Sequence, residues 1–264
     1  MMHAHSTSSL PGDVIFAIPF GLAIAAYATG VALQHHRGRS WPWFRTAAWT
    51  SGVLLIAATF LGPFAAAAHE DFVAHMGAHL LVGMAGPLLL VLSAPVTLAL
   101  RSLHVSRARR LSRLLRSLPA QVISTPVVAA VLNVGGLWLL YTSGAYALLE
   151  GNPLLHLVVS IHFLLAGLLF TAAIIPIDPA PHRTGFGLRA GVLLAAMAAH
   201  SILAKWIYAH PPLGVGAGAA EAGAMLMYYA GGLVDGVIVL VLCAQWYRHV
   251  GRSRARGVRL AAAL

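Results

Sequence analysis

His75-Met76-Gly77-Ala78-His79 opens the apolar run from Leu80 to Leu100, and His69, Glu70 and Asp71 stand just before it. A run of that length crosses hydrocarbon ~30 Å thick as an α-helix. At ~3.6 residues per turn, side chains four apart lie about 40° from each other on one helix face. His75 and His79 therefore point the same way, one turn apart, with His79 already inside the hydrocarbon. Ionisable groups at such depth are costly, face a protein interior, and mark ion pathways, relays or cofactor sites. Two imidazoles on one helix face also offer a transition metal two ligands.

Outward from this stretch the same kind of window recurs. Seven apolar segments fall at about 13–33, 45–64, 74–100, 121–142, 153–175, 187–208 and 223–247. Hydrophobic residues make up 59% of the chain and charged residues 9%, with a mean hydropathy of +0.80. A soluble domain is roughly half apolar and about a quarter charged. Pro, Gly and Arg fill the gaps, as helix ends and turns require, and no window alternates as barrel strands do. The expected fold is all-α, a polytopic bundle of seven transmembrane helices without internal repeats. It comprises a short external tail (1–12), one membrane domain (13–247) and a basic cytoplasmic tail (248–264).

The cations set the expected orientation. Arg37, Arg39 and Arg45 lie between spans one and two, and Arg101, Arg107, Arg109, Arg110, Arg113 and Arg116 between three and four. Arg183 and Arg189 lie between five and six, and Arg248, Arg252, Arg254, Arg256 and Arg259 follow span seven. Lys205 is the exception among the 17 Lys and Arg. Positively charged loops stay cytoplasmic, so the N-terminus is expected outside and the C-terminus on the cytoplasmic side. Asp13, Glu70, Asp71, Glu150 and Glu221 all fall on the outer side. The net charge of +10 is then a topology signal with some attraction to anionic lipid and calls for no nucleic-acid partner. The run from Arg101 to Arg116 has the pattern of an amphipathic surface helix. No basic n-region or cleavage pattern marks residues 1–11 as a signal peptide. His3 and His5 sit in that tail. A single cysteine, Cys243, leaves no intrachain disulfide and no CxxC site, so any metal falls to His, Met and carboxylate.

With that orientation, depth is comparable between helices at ~1.5 Å of rise per residue. His79, His162 and His200 come from three spans and reach roughly 8–14 Å below the outer surface, with His75 and His156 a turn or more above. His35, His36, His104, His182 and His249 sit among arginines at the other end. Met76, Met84 and Met197 add thioethers, and imidazole with thioether suits copper better than hard cations. The expected metal ligands are His75, His79, His162, His200, Met76 and Met197, converging on a pocket open to the outer side with His75 at its rim. His156 reads as an interhelical hydrogen-bonding residue, and Met84 and Met225 as packing. Paired histidines on facing helices are equally the ligand set of a b-type heme. In span seven, Glu221, Met225, Tyr228 and Asp235 share a face, and Gly231, Gly232 and Gly236 allow close helix approach. Asp235 lies at the depth of Asn133, a possible hydrogen-bond partner.

These residues carry a family resemblance. Phe72-Val73-Ala74-His75-Met76-Gly77-Ala78-His79, then Gly86-Pro87-Leu88-Leu89 and Ala94-Pro95, resembles the signature of the CtaG family of seven-span cytochrome c oxidase assembly factors. His156, His162-Phe163, Gly167-Leu168-Leu169-Phe170, Ile177-Asp178-Pro179-Ala180-Pro181, Arg189 and His200 follow in the family's order, and the resemblance covers about 45–247. Ala220-Glu221 and Met227-Tyr228 stand where the family has an acid-glutamine pair and a Met-Trp. The resemblance implies a non-catalytic factor that presents copper from the outer side to a heme–copper oxidase. Its partners would be cytochrome c oxidase subunits and extracytoplasmic copper chaperones. No nucleophile elbow, P-loop, HExxH or nucleotide fingerprint argues for an enzyme. Two other readings stand beside it: an ion transporter using Asp235 and the histidines, and a metal-free or heme-binding scaffold.

Overall fold

The computed structural model describes residues 10–149, 151–179 and 184–261, and side chains within 14–251 of those stretches. Residues 1–9 with His3 and His5, then Glu150, Pro181, His182, Arg183 and 262–264, lie outside them, as do the side chains of Asp13, Arg252, Arg254, Arg256 and Arg259. Every regular element among the described residues is helical.

The order is α1 Leu10–His36, α2 Trp43–Ala58, α3 Gly62–Glu70, α4 Phe72–Leu92, α5 Pro95–Ser102, α6 Val105–Leu115, α7 Leu118–Ile123, α8 Pro126–Thr142, α9 Ala145–Leu149, α10 Pro153–Ile174, α11 Phe186–Ala209 and α12 Ala217–Ala261. Among these, α1, α4, α10, α11 and α12 are long and apolar enough to cross a membrane, and α2 with α3 makes a sixth if the bent pair counts as one span. That pair is kinked by 48°, where Gly62 takes a φ of +74° that only glycine adopts freely. The expected fourth span is the apolar α8, shorter than the rest. The expected third span ends early. Ser93 and Ala94 break it, Ala94 at φ 55°, because proline at 95 disfavours a helical residue before it.

α4 is the centre of the bundle. In its spanning window 56% is buried, against 6% in α1, and α2, α3, α10 and α12 all pack on it. Val14, Ile15, Phe16, Ile18 and Leu22 of α1 stay exposed, which suits a face against lipid rather than water. Within α4, Leu81–Ala85 forms a π-helical turn in which the Gly86 amide donates to Leu81 O. Pro87 explains it: proline has no N–H for the carbonyl of Gly83 and its ring would strike it. The widened turn frees that carbonyl, and a Cβ at Gly167 of α10 would collide with it. Glycine is therefore what lets α10 dock on α4. α8 has a second π turn, Val131–Gly135.

At the arginine-rich end, Asp178, beyond α10, caps α5 across the fold. Its carboxylate accepts from Val96 N (3.2 Å), Thr97 N (2.7 Å) and Thr97 Oγ1 (2.6 Å). Two motifs 80 residues apart, Ala94-Pro95 and Ile177-Asp178-Pro179, thus form one contact. Helix α6 has no buried residue and lies on the surface, as its pattern requires.

Candidate metal-cargo site between α4, α8, α11 and α12

The helix periods set which imidazoles turn inward. Asp71 caps α4 by accepting from Ala74 N at 2.8 Å, which fixes the register that buries Phe72, Met76, His79 and Leu80. On α11 the buried stripe Leu193, Ala196, His200, Leu203 and Ala204 carries His200 inward. Both rings line one cavity of about 20 Å³, with Gly83, Met84, Asn133, Thr171 and Asp235 also in its wall. That volume suits a single water or ion, for which ~10–15 Å³ is the minimum. Nε2 of His79 and Nε2 of His200 are both buried without a hydrogen-bond partner among the described residues. Orphaned buried nitrogens are expensive, and two on rings that line one small cavity are the structure's clearest sign of a ligand. Asp235, 6% exposed, has no hydrogen bond or ion pair among the described residues. It shares the cavity with Asn133, as their common depth suggests, but no bond joins them. Asp235 turns inward while Tyr228 and Met225 of the same expected stripe are 37% and 47% exposed. Lys205 lies 5.4 Å from the Tyr228 ring centroid, a cation–π contact.

A second cavity of about 40 Å³ lies toward the His75 end, lined by His75, Tyr141, His156 and again His79. His79 is thus the wall between the two. The His75 imidazole shares a hydrogen bond with Tyr141 OH at 3.2 Å through Nε2, and that hydroxyl also donates to Met76 Sδ at 3.8 Å. His156 lies 6.0 Å from His75 and 4.6 Å from His69, ring centre to ring centre. Nδ1 of His69 donates to Ala65 O at 2.7 Å. A carbonyl can only accept, so the free lone pair of His69 is on Nε2.

The six expected ligands do not converge. His162 is exposed and its Nε2 bonds Leu132 O at 3.0 Å, the ring resting on Gly136, where a Cβ would stand 2.8 Å from Nε2. Shared depth does not fix direction. The inward stripe of α10 runs through Phe163, Ala166, Gly167, Phe170 and Thr171, and His162 sits about 110° from its centre at 100° per residue. Met76 is fully buried between Tyr141 and α12, and Met197 packs in the apolar cluster with Leu193 and Phe170; neither lines the two histidine cavities. Met84, read as packing, does line the His79–His200 cavity, one turn and a π residue along α4. His69, Tyr141 and Thr171 were not singled out. For His69 the spacing of six residues from His75 across a helix break hid the contact. Among the described residues no three His, Cys, Asp or Glu side chains lie close enough together to hold a metal ion. The cavity wall therefore offers two imidazoles, with a thioether and a carboxylate elsewhere in the same lining.

These features define a helical membrane protein with a small histidine-lined chamber beside its central helix. Over residues 25–249 the chain matches the family described as cytochrome c oxidase caa3 assembly factor (Caa3_CtaG), and it belongs to that family. It is also similar to uncharacterised proteins of Mycobacterium bovis and Mycobacterium tuberculosis, each 37% identical over 189 residues, 69% of this chain and 29% of theirs. An uncharacterised protein of Mycobacterium leprae is 34% identical over 182 residues, 66% of this chain and 28% of its own. The chain spans less than a third of the length of these relatives. No solved structure matches it.

Proposed function

We propose that the protein is a non-catalytic factor of the cytoplasmic membrane that serves cytochrome c oxidase assembly by holding a copper ion as cargo. His79 and His200 hold the ion, with Met84 and Asp235 beside it. The observation that carries this reading is the pair of unpartnered, buried Nε2 atoms on two imidazoles that line one ion-sized cavity. Imidazole and thioether are borderline-to-soft donors that suit copper, and a 20 Å³ chamber leaves no space for a heme between the two rings. The cavity of His75, Tyr141 and His156, which shares His79, is the route by which the ion enters and leaves. We place that route on the outer side of a seven-span bundle, in reach of extracytoplasmic copper chaperones and oxidase subunits. Beyond Asp235 the way is closed by Leu88, Val91, Phe170, Ile174, Leu193, Ile238 and Leu242, all buried. This apolar seal speaks for hand-over on one side rather than conduction across the membrane.

The test is titration of the purified, detergent-solubilised protein with Cu(I) under reducing conditions against a competing chelator. One ion per chain is expected, lost in His79→Ala and in His200→Ala and kept in His162→Ala. In cells, His79→Ala should leave the protein abundant while the oxidase lacks copper. Full binding by both His79→Ala and His200→Ala, or none by the wild type, would sink the reading. Disappearance of the His79→Ala protein from the membrane would make that histidine structural.

A further inference from the structure

A larger cleft lies at the opposite, arginine-rich end of the bundle. It has a volume of about 610 Å³, more than ten times that of either histidine cavity, and falls in the range of ligand sites. Val91, Leu115, Ile123, Leu169 and Ile177 are among its lining residues. Among the described residues Asp178 is the one ionisable side chain in the wall, and its carboxylate is already taken up by the amides of Val96 and Thr97. The described lining is otherwise mostly apolar, so the occupant has a long apolar part.

The rim is different. Leu114 and Leu115 of α6 line the cleft, and Arg113 and Arg116 precede and follow them on the chain, exposed. Arg107, Arg109 and Arg110 on the same helix are exposed too. No Asp or Glu occurs anywhere from Phe72 to Leu149, and none of these five guanidinium groups forms an ion pair among the described residues. Leu114 and Leu118 remain 65% and 75% exposed. On α6, Leu111 and Leu115 stand on one side and Arg109, Arg110, Arg113 and Arg116 on the other at 100° per residue, the pattern of a helix lying in the plane of a bilayer surface. Concentrated, unneutralised guanidinium groups there attract anionic headgroups, and Arg grips phosphate by two parallel N–H donors.

We propose that this cleft is a binding site for one anionic phospholipid, an acyl chain seated between α10 and the α6–α7 pair and the phosphate held by Arg113 and Arg116. The inference is independent of the copper reading, because the cleft and the histidine cavities have no lining residue in common.

The experiment uses the full-length protein, delipidated in detergent, with phosphatidylglycerol or phosphatidylcholine added back. Native mass spectrometry reads the lipid retained, and thermal unfolding reads its effect. The wild type should retain phosphatidylglycerol at least fivefold over phosphatidylcholine and gain several degrees in unfolding midpoint from it alone. Arg113→Gln with Arg116→Gln should abolish the preference. Ala172→Trp, an exposed cleft position that tryptophan would fill, should abolish retention with helical content unchanged by circular dichroism. If Ala172→Trp fails to fold, Ala120→Trp in the facing wall takes its place. Equal retention of the two lipids by the wild type, or an unchanged preference in the arginine variant, overturns the site. So does lipid retained by the filled cleft. Inorganic phosphate alone that stabilises as much as the lipid assigns the arginines to free phosphate and overturns it as well.

Discussion

Three imidazoles in this bundle rest against a glycine, and the glycine decides where each ring can go. A Cβ at Gly83 would stand 3.2 Å from His79 Cε1, and one at Gly231 would stand 2.6 Å from His200 Cε1. The first is tight; the second is closer than a real contact allows. Gly231→Ala should therefore push His200 out of the cavity and weaken Cu(I) binding at least tenfold, as removal of the imidazole would. Gly232→Ala is the control, since nothing lies within 4 Å of a Cβ there. Alanine favours a helix interior over glycine by about 1 kcal/mol, so both variants gain in helix propensity and only Gly231→Ala should lose binding. Equal affinity of the two variants in a chelator-competition titration would mean that His200 does not hold the ion. The sequence made His79 and His200 legible, because burying an ionisable group in hydrocarbon demands a reason at any azimuth. It could not separate them from His162. Depth follows from counting residues, whereas direction depends on which stripe of α10 packs on α4, and that is set by Gly167 meeting the carbonyl of Gly83.

Among the elements, the two π turns and the capped α5 are where the chain departs from straight spans. Pro87 was visible in the sequence, but whether a proline kinks a helix, ends it or widens it into a π turn depends on what surrounds the freed carbonyl. Here a neighbouring glycine occupies that place. The same holds for the end of the third span: apolar composition runs on to Leu100, yet Ala94-Pro95 stops the helix and α5 starts anew. α5 needs a cap because Pro95 supplies no N–H and the next two amides point away from any carbonyl of their own helix. Asp178 satisfies both. Asp178→Ala should cost about 1–2 kcal/mol, the range for losing an N-cap with a charged acceptor, read as a lower unfolding midpoint in detergent. Asp178→Asn, which keeps one acceptor oxygen, should recover about half of that cost. Copper binding should be unchanged in both, since α5 contributes nothing to either histidine cavity. A midpoint unmoved by Asp178→Ala would mean that the contact between the two motifs contributes nothing to the fold.

For the whole molecule, the cations and the apolar windows give a topology that can be tested directly. By the positive-inside rule, the arginines that the sequence places between α1 and α2, between α4 and α8, near the start of α11 and after span seven share the cytoplasmic side, which calls for an odd number of crossings. The five long helices and the bent α2–α3 pair make up to six, and an odd count requires α8 as a seventh. At 17 residues it spans only ~26 Å of the ~30 Å hydrocarbon. Short spans are accommodated by local thinning and by flanking residues, and α7 lies just before it at the surface. In a Cys243→Ser background, Ser143→Cys beyond α8 should react with a membrane-impermeant maleimide on intact cells. Ser106→Cys on α6 should react only after permeabilisation. Both positions are exposed, so accessibility to reagent is decided by the membrane and not by the fold. Labelling of both in intact cells would make α8 a re-entrant segment and leave six crossings. Labelling of Ser106→Cys alone would invert the protein, place the His75 cavity on the cytoplasmic side, and end the idea that copper enters from outside.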